Sequence, residues 1–443
     1  MPFRFLFYLQ PVRYFSVPRI DGTYVYPTYE SIPTTILQQL QPTSSYTSQR
    51  AKEYDLAWQA IHLGFIGGTK CYTEFEKLPV KDEYTFVRKY FSPIWALYVL
   101  LLRILSLKNP FVEVNAFWST RKVKKQFVTQ NALLYNDFTN FESKLQATNP
   151  LVSVIIPTLN RYEYLADVLK DLEKQTYSNF EVIVVDQSDN YSAEFYKNFN
   201  LDINLIHQKE KALWLARNTA IEVSKSELLL FFDDDSRVAS DWILQHIRCL
   251  DYFKAEGSSG VSLSAVGDTI PKNYSFFRIS DQLDTGNVLL KKSVFRKIGL
   301  YDRQFEKQRM GDGEYGMRMY INGFTNISNP LASRVHLKVG TGGLRHMGSW
   351  DAFRTKKWFA PRPIPSVLYL YRTYFGVKRS RIALLKSVPP SVIPYRFKKN
   401  KKLVLLGIFV SVFLLPLIVL QVFISWQRAS KKIQEGPIIK KLD

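Results

Sequence analysis

The 443 residues carry 46% hydrophobic side chains and a formal net charge of +21. That is length for two or three domains, and too much apolar content for a disordered chain. Only two cysteines, Cys71 and Cys249, are present, which excludes a disulfide framework and fits a reducing compartment.

The opening Met1-Pro2-Phe3-Arg4-Phe5 lacks the long apolar core and small-residue cleavage site of a signal peptide. Residues 1–149 are rich in Tyr and Phe, with turn signals at Asp21-Gly22 and Gly67-Gly68, and no pattern in them assigns a fold. Within them, Ile94 to Leu107 is apolar apart from Arg103 and Ser106 and follows Ser92-Pro93, a helix start. It is short for a bilayer span. The default expectation is a buried core helix; the alternative is a helix lying in a membrane interface.

From Pro150 the texture changes. Val152 to Pro157 reads as a buried strand, and Tyr162 to Thr176 places Leu165, Val168, Leu169 and Leu172 at helical spacing. Phe180 to Asp186 and Ile203 to His207 read as strands, and Ala212 to Val223 as a helix. Leu228 to Phe232 is a run of five large hydrophobes without alternation, expected of a strand buried on both faces. Strands alternating with helices imply a parallel, doubly wound sheet.

The last of these strands runs into Asp233-Asp234-Asp235. Acids at this position lie at the carboxyl end of the strand, where open α/β sheets hold their ligands. Three adjacent carboxylates repel one another, and a hard divalent cation relieves that repulsion. The expectation is a metal-dependent site for an anionic, phosphorylated substrate; a solvated acidic turn is the plain alternative.

Four segments fall in order: Pro157-Thr158-Leu159-Asn160-Arg161, Val184-Val185-Asp186-Gln187-Ser188-Asp189, Ala216-Arg217-Asn218-Thr219-Ala220 and the acidic triplet. Together they resemble family 2 glycosyltransferases, the inverting sugar-nucleotide enzymes of the GT-A fold, over about Pro150 to Met347. The resemblance implies a nucleotide pocket lined by Pro157, Thr158 and Asn160, with Asp186 accepting a hydrogen bond from the base. Arg217 and Asn218 match a stretch near the nucleotide, and Asp234 is grouped with the donor-binding residues. The D-x-D pattern maps to Asp233 on the ribose and Asp235 on Mn²⁺ or Mg²⁺ bridging the diphosphate.

Downstream, Gly286-Asn287-Val288-Leu289-Leu290 and Phe295 to Asp302 resemble the acceptor-side segment of the family. Gly311-Asp312-Gly313-Glu314 falls where relatives carry an acidic pair whose second member is the catalytic base, which assigns Asp312 that role; here the first acid is replaced by Gly311. The plain alternative makes Asp312 an N-cap for a helix from Glu314 to Ile321. His336 matches a metal-ligating histidine found in some relatives, with His346 as its competitor. Gly340 to Arg345 between them resembles a mobile loop that closes over the donor.

After Trp350, Leu368, Tyr371 and Phe375 share one face of a basic amphipathic stretch, like the membrane-skimming helices of some relatives. From Asp351 onward there are 19 Lys/Arg against 3 Asp/Glu. Leu403 to Trp426 is a run of 24 uncharged residues, long enough to cross a bilayer, with Pro416 in mid-run to kink it or turn a re-entrant hairpin. Five Lys/Arg within fifteen residues on either side give no orientation by the positive-inside rule.

The expected fold class is thus α/β, with a GT-A catalytic domain at 150–349. An unassigned region, 1–149, precedes it. A basic membrane-proximal segment (350–402), a transmembrane helix (403–426) and a short basic tail (427–443) follow. The expected function is a metal-dependent inverting glycosyltransferase at the cell membrane, its catalytic domain cytoplasmic. It would move a sugar from a nucleotide-diphosphate sugar to a hydroxyl of a glycan or lipid-linked acceptor, in cell-surface polysaccharide assembly. A processive polysaccharide synthase is the first rival, disfavoured by the absence of a Q-x-x-R-W motif and of several spans. A non-catalytic membrane scaffold is the second. A nucleic-acid partner is not expected, because no recognition motif accompanies the basic charge.

Overall fold

The computed structural model describes residues 1–126, 132–264, 267–339, 352–355 and 357–442. The chain divides into two compact units. Met1–Leu134 with Tyr371–Pro390 form the first, and Tyr135–Leu370 with Ser391–Asp443 form the second.

The first unit is helical: α1 (Leu6–Leu9), α2 (Thr34–Leu37), α3 (Gln49–His62), α4 (Val80–Tyr90), α5 (Pro93–Leu105) and α6 (Pro110–Ser119). Its core mixes aromatic rings with branched aliphatics. Phe3 stacks on Phe86 at 3.8 Å, and Phe5 meets Tyr84 edge-on at 4.9 Å. Each buried acid is matched by donors, as burial demands. Asp82 accepts from the backbone and hydroxyl of both Thr47 and Ser48, and so fixes the turn into α3. Glu83 accepts from the backbone N–H of Arg4 (2.9 Å) and Phe5 (3.0 Å); burial pushes its carboxyl up to about 7. Asp55 pairs with Lys89 and also accepts from Tyr90 Oη (2.6 Å) and Gln59 Nε2 (2.8 Å).

Pro93 at the first turn starts α5, where its missing N–H costs nothing. The helix is not the fully buried one expected by default. Ala96, Val99 and Leu100 face the core, while Ile94, Leu97, Leu101 and Leu105 are exposed.

The second unit is organised by one mixed sheet in the order β3-β2-β1-β4-β8-β6-β9-β5, with β7 pairing β9 off this path. The strands are β1 (Val152–Thr158), β2 (Phe180–Asp186), β3 (Ile203–His207), β4 (Leu228–Phe232), β5 (Ser236–Val238), β6 (Gly257–Leu263), β7 (Arg278–Ile279), β8 (Asn287–Lys291) and β9 (Asn326–His336). The helices are α7 (Lys144–Ala147), α8 (Tyr162–Glu173), α9 (Ala193–Tyr196), α10 (Leu213–Val223), α11 (Trp242–Tyr252), α12 (Lys292–Ile298), α13 (Gly311–Ile321), α14 (Pro365–Ser387, whose residues from Tyr371 on belong to the first unit), α15 (Lys401–Phe413) and α16 (Leu415–Glu435).

β1 to β4 are parallel to one another, and β8 runs antiparallel between β4 and β6. Chain order runs outward from β1 to β3 and then restarts on the other side at β4. This makes the β1/β4 boundary a topological switch point, where such sheets open a crevice. Pro157 sits beyond the β1–β4 pairing, which ends at Ile155–Phe231, so its missing N–H breaks no ladder bond there.

Within α14, Val367 to Leu370 are buried and the helix breaks at Gly376, whose φ is +76°. Leu368 is fully enclosed, and Tyr371 and Phe375 are half-buried. The face expected to skim a membrane is therefore turned into protein.

The apolar run at 403–426 is not one transmembrane helix. α15 and α16 meet at 88°, and among the described residues no single helix is long and apolar enough to cross a membrane, although the bent pair is by length and composition. Pro416 falls in the first turn of α16, where proline starts a helix but cannot continue one. α16 buries Ile418, Gln421, Ser425 and Ala429. Gln421 Nε2 donates to Trp358 O (2.7 Å) and Ser425 Oγ to Pro363 O (2.5 Å). Its other side, with Val419 and Phe423, is bare. The tail beyond α16 is stitched to the segment before α13: Leu300 N–H donates to Lys440 O (2.9 Å), Arg303 N–H to Ile438 O (3.1 Å), and Ile438 N–H to Asp302 Oδ1 (2.9 Å).

Candidate active site

The triplet leaves the end of β4 at the switch point, and its three acids point into different surroundings. Asp234 is buried and turned toward β1, where its Oδ2 accepts from Thr158 Oγ1 (2.8 Å) and its Oδ1 from Arg161 Nη1 (3.0 Å). Burial pushes its carboxyl up to about 6, with Arg161 opposing and Asp235 adding to the rise. Asp234 and Thr158 thus lock the two loops of the crevice to each other.

Asp233 and Asp235 turn the other way, toward His336. One ligand atom from each of Asp233, Asp235 and His336 lies within 4.8 Å of the others, the one such group among the described residues. The backbone sets this up. Ser236 pairs with His336 in the β5–β9 ladder, and Leu337 N–H donates to Asp235 O (2.9 Å). His336 Nε2 stands 3.1 Å from Asp235 Oδ1. Two carboxylates and an imidazole form a mixed oxygen–nitrogen donor set. That suits Mn²⁺ better than Mg²⁺, which prefers oxygen throughout.

Three arginines hold the acids in place. Arg334, 2% exposed, donates to Asp233 Oδ2 (2.8 Å) and to both oxygens of Asp284. Arg217, 1% exposed, donates from Nη2 to Asp233 Oδ1 (3.0 Å) and Thr285 O (3.0 Å). Among the described residues its Nε and Nη1 have no hydrogen-bond partner. Arg161 spans Asp234 and Asp235. Gly286 makes room for this cluster: a Cβ there would stand 2.1 Å from Asp233 Oδ2 and 2.4 Å from Arg334 Nη1.

The other residues expected to hold the donor divide into two groups. Asn160 has a left-handed φ of +54° and clamps the β1 loop to the β2 loop. Its Nδ2 donates to Asp189 Oδ2 (2.8 Å), and its Oδ1 accepts from Asp189 N–H (2.9 Å). Pro157 lies buried beside it at the end of β1. Asp186 is fully buried and accepts from Tyr162 Oη (2.6 Å), Tyr196 Oη (2.8 Å) and Ser188 N–H (2.8 Å), leaving about one lone pair for a ligand. Asn218 is committed to the backbone. It donates to Tyr301 O and accepts from Tyr301 N–H, both at 3.0 Å, which ties α10 to the segment before α13.

Asp312 is not an N-cap. α13 begins at Gly311, so Asp312 lies within its first turn and Met310, with φ +82°, takes the cap position. The ionised carboxylate is favoured there by the helix dipole. The glycine that replaces the first acid has a structural cause: a Cβ on Gly311 would meet Trp214 Cζ2 at 2.2 Å. Trp214 sits on α10 one turn from Arg217, whose guanidinium lies 5.2 Å from its ring. Glu314 is occupied structurally by an ion pair with Arg318, which also donates to Ile298 O and Leu300 O. The segment Gly340 to Arg345, His346 and Trp350 lie outside the described residues.

Residues 153–319 match the family model described as glycosyl transferase family 2. Over this segment the chain is thus similar to family 2 glycosyl transferases. The chain is similar to the glycosyltransferase AglE of Haloferax volcanii, with 33% identity over 175 residues, 36% of this chain and 55% of AglE. It thus spans about half the length of that relative. It is also similar to TuaG of Bacillus subtilis, named for teichuronic acid biosynthesis, with 22% identity over 262 residues, 54% of this chain and 97% of TuaG. Staphylococcus aureus TarS 1-349 in complex with UDP-GlcNAc overlaps loosely, at TM-score 0.39 and 14% identity, over 64% of this chain and 92% of that one. The domain has the α/β GT-A architecture expected of the family.

Sequence reasoning missed the residues that hold the site together. Arg161 stands in a quoted motif without a role, and Arg334, Asp284, Trp214, Tyr162 and Tyr196 were not singled out for the site. Their partners lie far off in sequence, up to 101 residues for Arg334 and Asp233, and no local pattern marks such pairs.

Proposed function

We propose that this protein is a membrane-associated, metal-dependent inverting glycosyltransferase. It takes a nucleotide-diphosphate sugar and passes the sugar to a hydroxyl of a glycan or lipid-linked acceptor. The observation that carries the reading is the convergence of Asp233, Asp235 and His336 at the switch point of a family 2 domain.

In this reading Asp235 and His336, joined by Asp233, would hold Mn²⁺ or Mg²⁺, and the donor set favours Mn²⁺. Such an ion, when bound, neutralises charge on a diphosphate leaving group. The chain's own residues do the rest. Pro157, Thr158, Asn160 and Asp186 wall the nucleotide pocket, Asp234 keeps that wall closed, and Asn218 keeps α10 in register with it. Arg217 holds Asp233 from Nη2, and its buried cation is suited to balance a developing anion nearby. Asp312 takes the proton of the acceptor hydroxyl as its oxygen bonds to C1 and the C1–O bond to the diphosphate breaks, a single displacement that inverts C1.

The assignment of 150–349 as catalytic domain, with 1–149 outside the chemistry, belongs to the same proposal. So do the membrane attachment through α15 and α16, the cytoplasmic placement and the role in cell-surface polysaccharide assembly. The bare apolar side of the bent pair and the flanking lysines support attachment.

The test is a panel of sugar nucleotides with Mn²⁺, read by thermal shift and by release of nucleoside diphosphate. One donor should stabilise the protein in a chelator-sensitive way, and Asp235→Asn should abolish both signals. A full donor signal in the Asp235→Asn protein overturns the reading.

A further inference from the structure

The α5–α6 hairpin of the first unit leaves an apolar surface that its own unit does not cover. On α5, Leu97, Leu101 and Leu105 recur at helical spacing on the outer side and are 45%, 53% and 77% exposed. The turn to α6 adds Leu107 at 94% and Phe111 at 84%, and α6 adds Trp118 at 57%. A contiguous apolar surface of this kind marks an interaction site. Leu107 is held there in a left-handed conformation, φ +56°, which a branched side chain adopts at a cost.

The charge on the hairpin selects the occupant: Lys108 stands at the tip, and the other cations follow the far end of α6. Between residues 108 and 125 stand Lys108, Arg121, Lys122, Lys124 and Lys125 against one acid, Glu113. Glu113 is buried and committed to Arg103 Nε (2.9 Å) and Tyr84 Oη (2.9 Å). The outward charge is therefore positive throughout. It repels a second copy of the same surface and complements anionic lipid.

Behind the tip lies a cavity of about 570 Å³ whose walls include Arg4, Arg103, Lys108 and Lys378 beside Phe7 and Tyr24, with Glu74 as its acid. Cations on aromatic walls at the foot of an apolar tip fit a phosphate head group on an apolar tail. At 13 residues α5 is about 20 Å long, so it reaches into a bilayer without crossing it.

We propose that the α5–α6 hairpin is a membrane-docking element, its tip entering an anionic bilayer and the cationic cavity receiving lipid phosphate. This stands whether or not the second unit is a transferase.

The test uses the full chain carrying Cys71→Ser and either Leu107→Cys or Phe111→Cys, labelled with an environment-sensitive dye; Cys249 is buried and stays. Vesicles of phosphatidylcholine with 30% phosphatidylglycerol should blue-shift the dye at both positions and shield it from iodide. Phosphatidylcholine alone should do so at least about tenfold more weakly, and Lys122→Glu/Lys124→Glu should reduce the difference. The proposal is overturned if the dye stays quenchable while the vesicles carry the protein down, or if the protein does not bind them. It is equally overturned if the dye shifts without vesicles as protein concentration rises, since a second copy then covers the tip. A shift with inorganic phosphate alone also overturns it.

Discussion

The two units bury polar groups in opposite ways. In the first, each buried carboxylate is satisfied by neutral donors or by a single cation, and the charge stays local: Glu83 on two backbone N–H groups, Asp55 on Lys89, Glu113 on Arg103. In the second, acids and arginines interlock across strands, as Asp233, Asp284 and Arg334 do. A local carboxylate stabilises one turn. An interlocked network gathers several carboxylates in one crevice and balances their charge with arginines.

The sharpest break between the units is chemical. Asp312→Asn is expected to lower transfer by about 10²–10⁴-fold with donor-induced stabilisation intact, since only the proton acceptor is lost. Transfer at the original rate would remove Asp312 from the mechanism. In the first unit, Lys89→Met leaves Asp55 buried without its cation and should cost about 3–5 kcal/mol there. Proteolysis mapped by peptide should show the loss confined to that unit.

Acidity separates the units in sign. Glu83 has its carboxyl raised by burial from 4.5 to about 7. Its contribution to stability is full below pH 4.5 and is lost as pH rises through 7. His246, fully buried between Ser258 and Asn287, is lowered by burial from 6.5 to about 4. Its contribution is full above pH 6.5 and is lost as pH falls toward 4. Each term is on the order of 3 kcal/mol. Between pH 7 and 4.5, Glu83 should therefore tighten the first unit and His246 loosen the second. Glu83→Gln and His246→Gln should each flatten the slope of its own unit and leave the other unchanged; a slope that survives its substitution refutes that assignment.

The smallest expected effect is the most local. Gly311→Ala should cost about 1–3 kcal/mol through the clash with Trp214. Trp214→Phe, which removes the ring atoms in the way, should recover much of that loss in the double variant. Additive losses would show that Trp214 does not dictate the glycine.

What was legible in the sequence follows from the same contrast. β1 and β2 are apolar but for Ser153 and Glu181, β4 is an unbroken apolar run, and they lead into Pro157-Thr158, Asp186 and Asp233, so element and site declare themselves together. β6 and β9 are rich in Gly, Ser and Asn and held by side-chain amides, such as Asn287 Nδ2 on Ala332 O (3.0 Å). No alternation of apolar residues announces them. The first unit packs rings from short helices and loops, which carries no period. Its apolar stretch, α5, suggested a core helix, because apolar content does not tell what each face of a helix meets. Metal-ligand candidates at Asp233, Asp235 and His336 were readable, whereas the arginines that brace them are paired only by the fold.

The stitch between residues 438–440 and 300–303 bears on how this protein is best handled at the bench. Cutting the chain before Lys401 to gain solubility would also strip the strap that satisfies the Leu300 and Arg303 amides just ahead of α13. Such a truncate would keep its acid triplet and lose the support beneath Asp312. Replacing the bare side chains of α15 and α16 one by one, with the strap left whole, is the safer route to a soluble preparation.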